Sequence, residues 1–422
     1  MDRSQRGRDR PASVRVSAAR PATVLAGAKE VTVAAFPGEE YEQRLARTRA
    51  RMAEVGVDVL LVTDPANMNY LTGYDAWSFY VPQAVIVPLK AGAPLWVGRG
   101  MDAQSAILTT TLPHEHVLGY ADDYVESTVK HPMQFVASVL ADGGFAKARI
   151  GYEGNAYFFT ARNLQVLTQS LPGARLEDVD LLVNWVRTVK SSREIEVMRQ
   201  AARIVERVMR VAIDAVAVGT RQCDAAALIS EAQIRGTDEF GGDAPANPPS
   251  ILSAENAATP HASWSDAPFQ RNTATCLELS GCRRRYHCAM SRTVYLGKPP
   301  DEMRRVADAT AEGMAAALAT VKPGALCQDV ELAWRETINR AGFSKPSRIG
   351  YSIGVNYPPN WADHTASLRE NDTTVMEPNM TFHLMLGMWM EGWGFELSDT
   401  FRVTETGHEV FANFPRQLFV KE

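Results

Sequence analysis

The chain has 422 residues, 45% of them hydrophobic and 22% charged, which is enough apolar material for two ordinary globular domains. Its formal net charge of -5 supplies no long-range positive field for nucleic acid or an anionic membrane surface. No run is apolar for long enough to span a bilayer, so neither nucleic acid nor membrane is an expected partner. The opening stretch, MDRSQRGRDRPASVRVSAARPATVLAG, is rich in Arg, Ala and Ser and lacks the apolar segment of a signal peptide. It reads as a flexible extension over residues 1–35 of a cytoplasmic protein. The five cysteines, at 223, 276, 282, 288 and 327, are odd in number and lack the paired spacing of a zinc site, so reduced thiols buried as small core residues are expected. After Phe36-Pro37, YEQRLARTRARMAEVG has helical apolar spacing, and Val57 to Val62 reads as a buried strand that Asp64-Pro65-Ala66-Asn67 breaks into a loop. The runs AVIVPL, APLWVG and ARIGYEG continue an alternation of strands with helices, which predicts an α/β unit on a mixed sheet over residues 36–183. A helix start follows at Lys190-Ser191-Ser192, with Ser191 or Ser192 as cap and Glu194 and Glu196 in the first turn, where the macrodipole favours them. A second helical segment covers 301–321 and stops at Lys322-Pro323-Gly324. Helix pairs, each followed by antiparallel strands, predict two structurally equivalent halves without a fixed-period repeat.

Candidate chemistry concentrates in TATCLELSGCRRRYHCAMSRTVYLG, residues 273–297. Strand alternation puts Cys276, Glu278 and Ser280 on one face and Leu277 and Leu279 on the other; on the return strand His287, Ala289 and Ser291 share a face. With the leucines in a core, Glu278 points into a site. A carboxylate in a strand centre has either a task or a partner, and the alternative here is a salt bridge to the Arg283-Arg284-Arg285 turn. His261, in NAATPHASWSD, is the candidate for proton transfer, because imidazole both accepts and donates protons near neutrality. Aromatic residues gather in GYSIGVNYPPNWADHTAS, which carries Tyr351, Tyr357, Trp361 and His364, and in GMWMEGWGFELSD, which carries Trp389 and Trp393. Together with His383 and His287 they are candidate substrate-binding residues, able to cage a delocalised cation around a carboxylate.

From residue 36 onward these stretches, in this order, resemble the creatinase, prolidase and aminopeptidase superfamily, with Arg187, Lys190 and Glu194 on matching positions of its interdomain connector. The resemblance implies an α+β chain: a pita-bread catalytic domain over 184–422, preceded by a smaller creatinase-type α/β domain over 36–183. It also implies a homodimer in which amino-terminal domains, here with YLTGYDAWSFYV at 70–81, reach toward the neighbouring active site. Metal-dependent members hold five ligands at positions that here carry Glu278, Ala289, Tyr351, Met385 and Ser398. Ala, Met and Ser do not supply the oxygen donors and charge that a pair of hard divalent ions needs, so neither metal nor other cofactor is expected. Arg292 matches the Arg of the superfamily's Arg-Thr pair and is expected to be structural.

The combination of Glu278-Leu-Ser-Gly with Arg-Tyr-His-Cys-Ala-Met-Ser-Arg-Thr and Gly-Tyr-Ser-Ile-Gly-Val-Asn-Tyr-Pro-Pro is similar to the ectoine hydrolases of the creatinase branch. Those enzymes open the cyclic amidine ring of ectoine, with N-acetyl-2,4-diaminobutyrate as the implied product. In that reading Glu278 attacks the amidinium carbon or activates a water that does, His261 shuttles a proton to the departing ring nitrogen, and an Arg receives the substrate carboxylate. The amidinium carbon is already electrophilic, so no Lewis acid is required. The alternatives are a creatinase-like amidinohydrolase, a metal-dependent Xaa-Pro peptidase or prolidase, and a non-catalytic binding module.

Overall fold

The computed structural model describes residues 34–90 and 92–422. The extension expected over 1–35 therefore lies, apart from Ala34 and Ala35, outside the described residues. The first sheet is assembled by helix α1 (Gly38–Val55), strand β1 (Val59–Val62), α2 (Pro65–Thr72), β2 (Ala84–Pro88), β3 (Leu95–Arg99), α3 (Ala103–Thr109), β4 (Val117–Tyr120), α4 (Pro132–Asp142), β5 (Arg149–Tyr152), α5 (Ala161–Ser170), β6 (Arg175–Asp178) and α6 (Leu182–Val186). It has six strands in the order β4-β3-β2-β1-β5-β6. It is mixed, as expected, since β1 runs antiparallel to β2 and parallel to β5.

One local expectation is corrected. Asp64-Pro65-Ala66-Asn67 is not a loop but the start of α2, with Asp64 as N-cap accepting from the Asn67 backbone N–H at 3.0 Å and proline in the first turn. A proline there gives up an N–H that would have no intrahelical partner, so it starts a helix as readily as it ends one. Glu153, buried at the end of β5, accepts from the backbone N–H groups of Thr63 and Asp64 at 2.7 and 2.9 Å and pins this junction.

The second sheet is entered through α7 (Ser192–Ala215) and α8 (Gln222–Arg235), followed by β7 (Ser250–Ser253), β8 (Thr273–Arg283) and β9 (Tyr286–Leu296). Then come α9 (Asp301–Thr320), α10 (Cys327–Arg340), β10 (Gly350–Ile353), β11 (Ala362–Leu368), β12 (Thr381–Met390), β13 (Trp393–Val403), β14 (His408–Val410) and β15 (Phe419–Lys421). The sheet order is β11-β10-β12-β13-β9-β8-β7, with β14 on β13 and β15 on β9. Ser191 is the cap of α7: its Oγ accepts from Glu194 N at 3.2 Å while Glu194 Oε2 accepts from Ser191 N at 2.8 Å, a reciprocal capping box.

The same Glu194 also ties the two sheets together. Its Oε1 accepts from Tyr286 OH at 2.8 Å, and Arg44 of α1 donates to Tyr286 OH at 3.2 Å while stacking over Phe36 and Tyr70 at 4.5 Å each. These ionic groups are buried, so each needs its partner.

One face of the second sheet carries its core. Leu277, Leu279, Cys288 and Met290 pack with Ala201, Ile204 and Val205 of α7, while Leu384, Leu386, Phe395 and Leu397 pack with residues of α9 and α10. Burial of each such side chain contributes about 1.5–3 kcal/mol. The contact between α7 and β8 is close enough that a Cβ at Gly281 would lie 2.0 Å from the Ala201 carbonyl oxygen. These two helix-pair and hairpin units are the equivalent halves expected from sequence. Among the described residues no helix is long and apolar enough to cross a membrane.

Candidate active site

With the leucines of β8 in the core, the opposite face of the second sheet is where polar side chains converge, and ladder pairing ranks them in three levels. At the middle level Glu278 pairs with Ser291, Ser291 with Ser398, and Ser398 with Met385. One level away Ser280 pairs with Ala289, whose backbone exchanges hydrogen bonds with Thr400 Oγ1 at 2.9 and 2.8 Å; Thr400 pairs with His383, and His383 with Tyr351. On the other side Cys276 pairs with Thr293, Thr293 Oγ1 is held by the Glu396 backbone at 3.0 and 2.8 Å, and Glu396 pairs with Gly387. Glu278, Ala289, Tyr351, Met385 and Ser398 thus share one face of five strands.

Glu278 projects into this site. Its side chain keeps 15% of its exposure, and burial pushes its carboxyl up to about 7. The arginines of the neighbouring turn are engaged elsewhere, Arg283 with Gln200, Arg284 with the Ala35 carbonyl and Arg285 with Asp75. The salt-bridge alternative for Glu278 is therefore not what the structure shows.

His383 Nδ1 stands 4.0 Å from Glu278 Oε1. That ring is fully buried and lies 3.1 Å from Tyr351 OH through Nδ1 and 2.7 Å from Ser398 Oγ through Nε2. Trp361 Nε1 donates to Tyr351 OH at 2.9 Å, and Ser398 Oγ donates to Ser291 Oγ at 2.9 Å. An indole N–H can only donate. The arrangement that satisfies every member runs in one direction: Trp361 to Tyr351, Tyr351 to His383 Nδ1, His383 Nε2–H to Ser398, Ser398 to Ser291. It requires a neutral imidazole, and burial, reinforced by the charge of Arg348, lowers the His383 pKa to about 3. The Tyr351 phenol is pushed up by burial and then by the negative charge of Glu278.

A second carboxylate, Glu396, shares the cavity face and was not among the residues singled out from sequence. It is 2% exposed, and its Oε2 has no hydrogen-bond partner among the described residues. Burial and the neighbouring Glu278 charge both raise its pKa well above the usual carboxylate range, against a smaller opposing effect of Lys345. Lys345 Nζ donates to Ser347 Oγ at 2.8 Å and to the Gly387 carbonyl at 2.9 Å, 5.0 Å from the Trp389 ring. Trp389 folds over Gly387 so closely that a Cβ there would fall 1.3 Å from an indole carbon. The signal for Glu396 was available in the sequence: alternation along β13 places it on the same face as Ser398.

The structure thus brings together Glu278, Tyr351, Trp361 and His383, with Trp389 beside Lys345 at the Glu396 end. Other candidates lie at its edge or elsewhere. His287 borders the site, its ring centroid 6.3 Å from that of Trp361, but it is buried, accepts from Ala246 N at 2.8 Å and faces the Gly354 carbonyl at 3.4 Å, so both ring nitrogens are used in joining strands to loops. Tyr357 hydrogen-bonds Asn69 and Asp75 and packs with Ala66 and Phe79 of the amino-terminal half. His364 sits 3.4 Å from Tyr157 OH, in a recess it shares with Asp64, Asn356 and Tyr357. Trp393 packs against Ala274, Tyr295 and Met303. His261 is exposed, and no hydrogen bond joins its ring to another described residue, although its neighbour Ala262 packs on the Leu252, Ala257 and Cys276 cluster. Arg292 has the structural role expected of it, donating to Asp399 at 2.9 Å and to four carbonyl oxygens, those of Ser291, Ser398, Phe414 and Pro415.

Comparison with known proteins agrees with this architecture. Residues 196–405 match metallopeptidase family M24, and residues 44–189 match the creatinase/prolidase N-terminal domain. The chain is 42% identical over 393 residues to the ectoine hydrolase of Halomonas elongata, spanning 92% of this chain and 98% of that one. The chain belongs to family M24. Another M24-type relative, an uncharacterized hydrolase/peptidase of Sinorhizobium fredii, is 46% identical over 387 residues, which is 92% of this chain and 99% of the relative. The solved prolidase of Thermococcus sibiricus superposes with a TM-score of 0.78 at 19% identity, covering 90% of this chain and 99% of that one, and shows the same pita-bread fold behind a creatinase-type domain. M24 metallopeptidases carry metal, and the donor set here does not fit one. The family's ligand positions hold one carboxylate with Ala289, Tyr351, Met385 and Ser398, and among the described residues no group of three or more His, Cys, Asp or Glu is placed to hold a metal ion.

Proposed function

We propose that this protein is a metal-independent hydrolase that opens the cyclic amidine ring of ectoine to N-acetyl-2,4-diaminobutyrate. The observation that carries the substrate is the 42% identity, over 92% of the chain, to a protein named ectoine hydrolase. The site supplies a chemical rationale. A carboxylate opposite an amidinium forms a charge-assisted pair, and the positive charge shared by both nitrogens leaves the central carbon electrophilic without a Lewis acid. Glu278 attacks that carbon or takes a proton from a water that does. Tyr351 and Trp361, fixed by their hydrogen bond, wall the ring, and His383 holds Tyr351 in place. His261, the expected proton carrier, lies on an exposed loop, and a proton donor inside the site is the alternative to it.

The test is ring opening of ectoine followed by NMR on chelator-treated protein, with Glu278→Gln in parallel. Full turnover after chelation and a loss of at least about a hundredfold in the variant are expected. Turnover that disappears on chelation and returns with a divalent ion sinks the metal-free reading, and normal turnover by Glu278→Gln removes Glu278 from the chemistry.

A further inference from the structure

We propose that Glu396 is a second catalytic carboxyl group, the acid that delivers a proton to the ring nitrogen as the amidine C–N bond breaks. The proposal rests on the ectoine reading above and adds to it the group that completes proton transfer.

The geometry is that of two acids on one cavity face. Glu278 and Glu396 stand one ladder level apart, on strands separated only by β9, and both side chains belong to the face opposite the leucine core. Between them β9 presents Ser291 and Thr293, small and uncharged, so that strand places no charge between the two carboxyls, and the charge of Glu278 acts on Glu396. Glu396 Oε2 is buried without a partner among the described residues. A buried carboxylate oxygen without a donor is costly, and two carboxylates in one cavity do not both ionise readily. Each argument leaves a proton on the pair.

The groups facing Glu396 support this assignment. β8 contributes Glu278 and Cys276, β10 contributes Tyr351, and the segment before β10 contributes Lys345. β12 contributes Gly387 directly opposite, with His383 further along and neutral. Among the described residues Lys345 is the cation whose charge acts on Glu396, and it is already occupied by Ser347 and the Gly387 carbonyl, its own pKa lowered to about 8 by burial. Glu278 is the more open of the two acids and the better placed to meet a substrate as a base or nucleophile. Two carboxyl groups whose surroundings separate their protonation make a natural acid and base pair.

The step balances in either route. When the C–N bond breaks, its electron pair goes to the ring nitrogen, which takes the Glu396 proton. On the same carbon, the O–H of the added water, or in the covalent route the remaining N–H, closes the C=O or C=N bond and returns its proton to the Glu396 carboxylate. In the water route the proton that Glu278 took from water then passes to the freed amine. In the covalent route a water adds across the C=N bond, the C–O bond to Glu278 breaks to release its carboxylate, and the remaining O–H proton passes to the freed amine as the C=O forms. In both routes both acids regain their starting states.

The experiment measures kcat and KM for ectoine opening by wild type and Glu396→Gln from neutral to alkaline pH. The proposal expects kcat to fall by about 10²–10⁴-fold with KM little changed, and the alkaline decline of kcat in the wild type to vanish in the variant. A variant within about tenfold of wild-type kcat, or one changed only in KM, overturns it. Failure of the wild type to open ectoine shows in the wild-type arm alone and overturns the substrate reading along with this one. If Glu396→Gln does not fold, infrared spectroscopy of the wild type and of Glu278→Gln decides. A protonated-carboxyl C=O stretch at neutral pH in both supports the assignment, and its absence from both overturns it.

Discussion

Replacing Tyr351 by Phe deletes one oxygen at the centre of the hydrogen-bonded chain that lines the site. Two partners lose it: Trp361 Nε1, at 2.9 Å, and His383 Nδ1, at 3.1 Å. Trp361 is 3% exposed and His383 is fully buried, so neither finds bulk water in exchange. Each net hydrogen bond is worth about 1 kcal/mol and two are lost, while a stranded buried donor adds about 1–3 kcal/mol, so Tyr351→Phe is expected to cost about 3–5 kcal/mol. The measurement is the urea midpoint at unchanged m-value, where loss of stability moves the midpoint alone. A cycle with Trp361→Phe isolates the pair: the two changes remove the same hydrogen bond, so the double variant is expected to be about 1 kcal/mol more stable than the sum of the singles predicts. Activity falls with it, because His383 and Ser398 are oriented through Tyr351. A Tyr351→Phe protein within about 0.5 kcal/mol of wild type, with no coupling to Trp361, would show that the chain of hydrogen bonds does not hold the site.

Stability at mildly acidic pH tests the buried histidines. Burial lowers the His287 pKa from 6.5 to about 4, so between those values the unfolded chain binds a proton that the folded one does not, and stability is lost as pH falls from 6.5 toward 4. His287→Gln keeps an acceptor for Ala246 N and a donor for Gly354, and is expected to remove about 2 kcal/mol of the decline between about pH 7 and pH 5, read from urea midpoints; an unchanged decline would contradict a neutral buried ring. His261→Ala, on the exposed loop, is expected to hold kcat for ectoine within about tenfold, below the loss typical of removing a general acid or base. A collapse comparable to that of Glu278→Gln would return His261 to the reaction.

Much of the fold is legible because it is local. The alternation of Leu277 and Leu279 against Cys276 and Glu278 assigns the faces of β8, and Ser191 with Glu194 spells a capping box. Asp64-Pro65 was readable in two ways, since the same dipeptide ends strands and begins helices; the Glu153 carboxylate that settles it comes from a distant strand. The site was legible where family positions could be matched, which found Glu278 and Tyr351, and obscure where they could not. Glu396 was not among the expected residues, although it lies two residues before Ser398 on the same face of β13. Tyr357 and His364 share a stretch with Tyr351, yet the chain turns after β10 and carries them to the amino-terminal half, against Asn69 and Tyr157. Proximity in sequence did not become proximity in space, and no periodicity encodes the path of a loop.

On the proposed ectoine reading, the charge of the cavity suits a single organic cation. A pair of hard divalent ions is stabilised by several carboxylates that offset the loss of hydration. With Ala289, Met385 and Ser398 at three of the five positions, that charge is absent, and of the two acids that line the face each is raised by burial, Glu396 also by the charge of Glu278. Two carboxyl groups that resist ionising together favour a low total negative charge, which on that reading complements one amidinium. For a monocationic substrate, more carboxylates would leave like charges uncompensated, and none would leave the amidinium buried without a counter-ion. The aromatic and hydroxyl side chains around Glu278 follow from the same balance: Tyr351, Trp361 and His383 satisfy one another's polar atoms and add no charge, so the acids remain the main negative groups that a cationic ring meets.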